Sequence, residues 1–152
     1  MTQRTLVLDT NIISETLKQE ADKGVIAWLI QNQEDLYLTA ITIGELLQGA
    51  YRLPAGKRRE NLLIAIERIV NGYDGRILAY DGLAARVYAE MQDISYRSGR
   101  VLTVEDGMIA AICSSANAVL ATHNTKDFLH LDVVLVDPFV EPTPDVVEVN
   151  LG

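Results

Sequence analysis

The chain has 152 residues, 49% of them apolar, which suits one domain with a sizeable buried core. Its 13 basic and 21 acidic residues give a formal charge of -8, which excludes a protein that grips nucleic acid by a broad basic surface. A nuclease working through bound divalent cations stays possible, because such ions reverse the local field.

The sole cysteine, Cys113, excludes an intramolecular disulfide, fits a reducing compartment and reads as a small core residue. The apolar stretch after Met1-Thr2-Gln3-Arg4 is too short for a signal-peptide core, and no run of the chain could span a bilayer. A cytoplasmic protein is expected.

In chain order, Leu6-Val7-Leu8 predicts a strand buried on both faces, the kind found in parallel sheets covered by helices. It stops at Asp9-Thr10-Asn11. Helices are predicted for Asn11 to Lys18 and Asp22 to Asn32, the second with an apolar side of Val25, Ile26, Trp28, Leu29 and Ile30. Leu36 to Ala40 is a compact strand, and a helix follows from Ile41 to about Leu53, where Pro54-Ala55-Gly56 breaks the pattern. Lys57 opens a longer helix to Val70, with Leu62, Leu63, Ile66, Ile69 and Val70 at helical spacing and Asn71-Gly72 as its stop. Ile77 to Tyr80 is the third strand. Asp81 caps a helix whose predicted apolar stripe is Leu83, Val87, Met91 and Ile94.

Thr103 opens another apolar helix that ends near Asn117. Ala118 to Thr122 and Val133 to Val136 are the last two strands, with a helical turn expected between Lys126 and Leu131. Pro138, Pro142 and Pro144 make residues 139–152 an extended tail after a domain of residues 1–138. Strands alternating with helices at this spacing predict a parallel sheet between two helical layers, an α/β/α sandwich. Right-handed crossovers then gather the strand carboxyl ends at one edge, where ligands bind in open α/β sheets.

Four carboxylates follow elements that reach that edge: Asp9, Glu45, Asp106 and Asp127. Each has a plainer reading. Asp9 suits a helix N-cap, Thr42 with Glu45 and Thr103 with Asp106 have capping-box spacing, and Asp127 could start a helical turn. Their convergence favours a site. Crowded carboxylates raise one another's pKa, so the cluster is costly unless a cation neutralises it, and an all-oxygen set selects Mg²⁺ or Mn²⁺ over zinc. Only His123, His130 and Cys113 are available as softer ligands.

Leu8-Asp9-Thr10-Asn11, Thr42-Ile43-Gly44-Glu45-Leu46, Glu105-Asp106-Gly107-Met108-Ile109-Ala110-Ala111 and Ala121-Thr122-His123-Asn124-Thr125-Lys126-Asp127-Phe128 resemble the four acidic motifs of PIN domains. The likeness is closest to the VapC and FitB-like toxins of bacterial toxin–antitoxin pairs and extends from about Leu6 to Pro138. The resemblance implies a five-stranded parallel sheet in the order 3-2-1-4-5, Mg²⁺- or Mn²⁺-dependent ribonuclease activity, inhibition by a cognate antitoxin and a homodimer. It carries Asp9, Glu45 and Asp106 over as metal-site acids and Asp127 as the fourth acid. Thr122 and Asn124 match the polar residues of the last motif, and Thr10 and Asn11 could orient a carboxylate. His123 stands where many relatives have Arg.

The chemistry such a site suits is metal-assisted phosphodiester hydrolysis, with no histidine general base. Arg97 and Arg100 could contact RNA phosphates, and Lys57-Arg58-Arg59 could too, although solvated helix faces explain both groups. A Mg²⁺-dependent phosphatase of the haloacid dehalogenase type is a weaker alternative, because Asn11 occupies the place of its second Asp. A PIN-like binding module without activity is the non-enzyme alternative, and a lost acid would favour it. None is lost.

Overall fold

The computed structural model of the chain describes residues 4–140. Its sheet has five strands, β1 (Leu6–Leu8), β2 (Leu36–Thr39), β3 (Ile77–Leu78), β4 (Val119–Ala121) and β5 (Val134–Val136). All pairs are parallel and the order is β3-β2-β1-β4-β5, as the motifs implied. Central β1 is buried on both faces, which is why its sequence is uniformly apolar rather than alternating.

Six helices connect the strands: α1 (Thr10–Thr16), α2 (Lys23–Gln31), α3 (Ala40–Tyr51), α4 (Lys57–Asn71), α5 (Gly82–Arg97) and α6 (Val104–Ser115). Strand alternation divides the core. Leu6, Leu8, Leu36 and Leu38 point to one face, packing with Ile12, Ile13 and Val25, Trp28 of α1 and α2 and with Leu46 and Ile66 of α3 and α4. Val7 and Leu120 point to the other, against Met91 of α5, Ile109 and Cys113 of α6, and Phe128 and Leu131. Cys113 has no exposed surface and burial pushes its thiol up, so it serves as the core residue expected.

Local capping fixes where the helices begin. Asp22, Asp81 and Thr103 accept the backbone N–H groups of Val25, Ala84 and Asp106. α3 departs from its predicted start: the cap is Thr39, whose hydroxyl accepts from the Thr42 amide at 3.1 Å, so Thr42 is buried inside the helix and does not form a box with Glu45. On α5 the buried positions are Ala84, Met91 and Ser95, while Leu83 and Ile94 of the predicted stripe are exposed. α5 lies so close to α6 that a Cβ on Gly107 would meet the Tyr88 ring at 2.8 Å, which is why α6 carries a glycine at this crossing.

At the end of α4, Gly72 keeps a right-handed conformation and the positive φ falls at Gly75, one turn later. The expected helical turn after β4 is a short 3₁₀ turn, Thr125–Asp127. Phe139, the first residue of the expected tail, packs against the core, and residues 141–152 lie outside the described residues. Among the described residues, no helix is long and apolar enough to cross a membrane.

Candidate active site

The parallel ladder continues one residue beyond the strands. The Asp9 amide donates to the Ala121 carbonyl and the Thr122 amide to the Val136 carbonyl, both at 2.9 Å, which sets Asp9 and Thr122 side by side at the carboxyl edge. Asp9 is both a helix cap and the buried centre of a polar network. Its Oδ1 accepts the Thr10 amide at 2.8 Å, and Oδ2 accepts the Thr122 hydroxyl at 2.7 Å and the Asn11 amide group at 3.1 Å. The Thr122 hydroxyl in turn accepts the Asn124 amide at 3.1 Å. On the other side, the Thr10 hydroxyl donates to Glu45 at 2.6 Å.

A cavity of about 450 Å³ opens over this network, lined by Asp9, Thr10, Asn11, Glu45, Asp106 and Asn124 of the expected residues. Burial raises all three acids. For Asp9, the bonds from Thr122 and Thr10 hold the carboxyl down while Asp106 and Glu45 repel its charge, leaving it at about 6. Burial is likewise the main cause for Glu45, opposed by the Thr10 bond and reinforced by Asp106. Asp106 is also raised by the charges of Asp127 and Glu105.

Asp127 therefore stands near enough to act on Asp106, yet it is exposed on its turn and does not line the cavity. Arg97 and Arg100 do not line it either. Arg97 is tied to Asp93 by two contacts of 2.9 and 3.0 Å, and both arginines are exposed. Of Lys57, Arg58 and Arg59 at the start of α4, the first two are solvated and Arg59 lies over the Tyr51 ring at 4.8 Å.

The cavity instead holds basic groups that sequence reasoning did not assign to it. Lys18 bonds at 2.9 Å to Glu15, a buried acid that also accepts the Asp22 amide and is held below its ordinary pKa chiefly by Lys18. His123 and Phe139 complete this part of the wall. The Lys18–Glu15 spacing of three residues was the one available signal; the pairing of His123 with Phe139 depends on how the chain turns after β5.

Of the lining acids, Asp9, Glu45 and Asp106 are not paired with a base and offer only oxygen donors, the set that a hard divalent cation takes. Among the described residues, no three Asp, Glu, His or Cys side chains close tightly around one point.

A cluster of carboxylates, with Asp9 buried at its centre, at the carboxyl edge of a 3-2-1-4-5 parallel sheet places the molecule among α/β proteins with an acidic site. Sequence comparison gives the family: the PIN domain profile matches residues 6–134, and the chain belongs to that family. It is 39% identical to the VapC ribonuclease Y4jK of Sinorhizobium fredii over 136 residues, 88% of this chain and 97% of that protein. Toxin FitB of Neisseria gonorrhoeae is 36% identical over 136 residues, covering 88% and 98% of the two chains. The crystal structure of FitAcB from the same organism superposes with a TM-score of 0.84 at 35% identity, over 90% of this chain and all of that one.

Proposed function

We propose that this chain is a Mg²⁺- or Mn²⁺-dependent ribonuclease toxin that hydrolyses RNA phosphodiester bonds and is neutralised by a cognate antitoxin. The observation that carries the proposal is the convergence of Asp9, Glu45 and Asp106 on one cavity, each with a raised pKa. The relatives named as a ribonuclease and a toxin support it.

In this reading Asp9, Glu45 and Asp106 hold the cation, and Asp127 acts as a fourth acid through its charge on Asp106. The bound ion would supply an activated water and offset charge on the phosphate and the leaving oxygen. Thr122 and Asn11 fix the Asp9 carboxylate, Thr10 fixes Glu45, and Asn124 buttresses Thr122. Arg97 and Arg100, outside the cavity, would meet RNA only beyond the scissile bond. The products would carry 5′-phosphate and 3′-hydroxyl ends.

The working protein would be a cytoplasmic homodimer built on a domain of residues 1–138, with residues 139–152 as a tail. The α3–α4 cleft, lined by Leu47, Tyr51, Leu63 and Ile64, offers an apolar face for self-association. Purified chain freed of antitoxin should cleave single-stranded RNA with Mg²⁺ or Mn²⁺, stop with chelator and stop with added antitoxin. Cleavage that persists in chelator would count against the metal reading, and no cleavage with either ion would count against the ribonuclease.

A further inference from the structure

Two rings on the cavity wall have no part in the chemistry above. His123 follows β4 by two residues and Phe139 follows β5 by three, so adjacent parallel strands deliver both to the same edge. Their centroids lie 4.0 Å apart with the planes inclined at 34°. Asp137 fixes the pair: its Oδ1 accepts the Phe139 amide at 2.9 Å, and its two carboxylate oxygens lie 3.3 and 3.2 Å from His123 Nδ1. The His123 amide donates to Asn11 at 3.3 Å, and Phe139 is rooted in the core.

The His123 side chain is therefore positioned by Asp137 and Phe139, yet it keeps 52% of its surface open. A loop ring packed on Phe139, held at Nδ1 and lining a cavity is a preorganised flat surface. Asp137 occupies Nδ1 with a carboxylate, which disfavours a phosphate beside the ring and leaves the ring face to a neutral π-system. Bases of single-stranded RNA stack on such rings, histidine included.

We propose that the His123 ring, backed by Phe139 and held by Asp137, is a stacking platform for a nucleobase of single-stranded RNA whose adjoining phosphate lies in the acidic cavity. The platform rests on the ribonuclease reading for the identity of its ligand. It makes His123 a substrate-binding residue with no part in bond cleavage. Stacking of one base on one ring predicts a loss of about 5- to 150-fold in apparent affinity when the ring is removed.

The test has two arms. The chain has two histidines, so imidazole proton NMR of the full chain gives His123 a reference in His130, which is bonded to Ser95 at 2.8 Å. Millimolar adenosine or cytidine should shift the His123 signal upfield and leave His130 in place, and ribose should shift neither. Nucleosides that leave His123 unmoved, or move both histidines alike, would overturn the platform whether or not the protein cleaves RNA.

In cleavage assays His123→Ala should raise KM about 5-fold or more with kcat little changed, while His123→Phe keeps KM near wild type and His123→Lys does not. An unchanged His130 signal verifies folding of each variant. An unaltered KM in His123→Ala, or rescue by lysine and not by phenylalanine, would refute stacking. Absence of cleavage by the wild-type chain would refute the ribonuclease reading alone, and the nucleoside titration would still decide the platform.

Discussion

Asp9→Asn offers a test of the site that needs no substrate. Burial, with repulsion from Asp106 and Glu45, lifts this carboxyl from 3.8 to about 6 in the folded chain. Between those values the folded state holds a proton that the unfolded state has released, so stability falls as pH rises through the window. At about 1.4 kcal/mol per tenfold displacement, ionised Asp9 costs the metal-free protein about 3 kcal/mol once pH exceeds both values. Roughly half of that, about 1.5 kcal/mol, develops between pH 5 and 8. Asparagine carries no charge and keeps the oxygen that accepts the Thr10 amide, at the expense of the Thr122 and Asn11 bonds. Thermal unfolding in chelator should therefore show Asp9→Asn gaining on the wild type by about 3–6 °C from pH 5 to pH 8. Added Mg²⁺ or Mn²⁺ should stabilise the wild type and leave the variant unchanged. A difference between the two proteins that is flat across this pH range would refute the assignment of Asp9 as a raised, charge-crowded acid.

Thr122→Val removes a fully buried hydroxyl that donates to Asp9 and accepts the Asn124 amide. Urea unfolding in chelator at pH 7.5 should record a loss of about 2 kcal/mol, and Mg²⁺ should bind more weakly by calorimetry. Gly107→Ala places a Cβ 2.8 Å from the Tyr88 ring and drives α5 from α6, for a loss of about 1–3 kcal/mol in urea. Because Asp106 is the neighbouring residue, RNA cleavage should fall as well. Thr39→Ala removes the buried cap of α3, the helix carrying Glu45, and should lower stability by about 0.5–2 kcal/mol in the same assay.

What the sequence disclosed follows from the range of the interactions involved. The strands were visible because burial on both faces demands unbroken apolar runs, as in Leu6-Val7-Leu8. Asp9, Glu45 and Asp106 were visible as carboxylates at element ends, and a parallel sheet brings such ends together whatever lies between. The α5 stripe departs from expectation because periodicity weighs large apolar residues, whereas the buried face of α5 is Ala84, Met91 and Ser95, the last bonded to His130, and Leu83 and Ile94 lie outside. The capping role of Thr39 was hidden by Thr42, which has the better-known spacing to Glu45. The setting of Asp127 outside the cavity, and the meeting of His123 with Phe139, depend on short turns after β4 and β5 whose direction no local pattern specifies.

The most direct measurement of the central claim is RNA cleavage by wild type, Asp9→Asn, Glu45→Gln and Asp106→Asn, each purified free of antitoxin and checked for folding by circular dichroism. In Mg²⁺ or Mn²⁺ the wild type should produce fragments with 5′-phosphate ends, and the folded Asp9 and Asp106 variants, each lacking a metal-holding charge, should fall about 100-fold or more, with Glu45→Gln reduced by a smaller factor. Undiminished cleavage by folded Asp9→Asn and Asp106→Asn would contradict the claim that these acids form the active site.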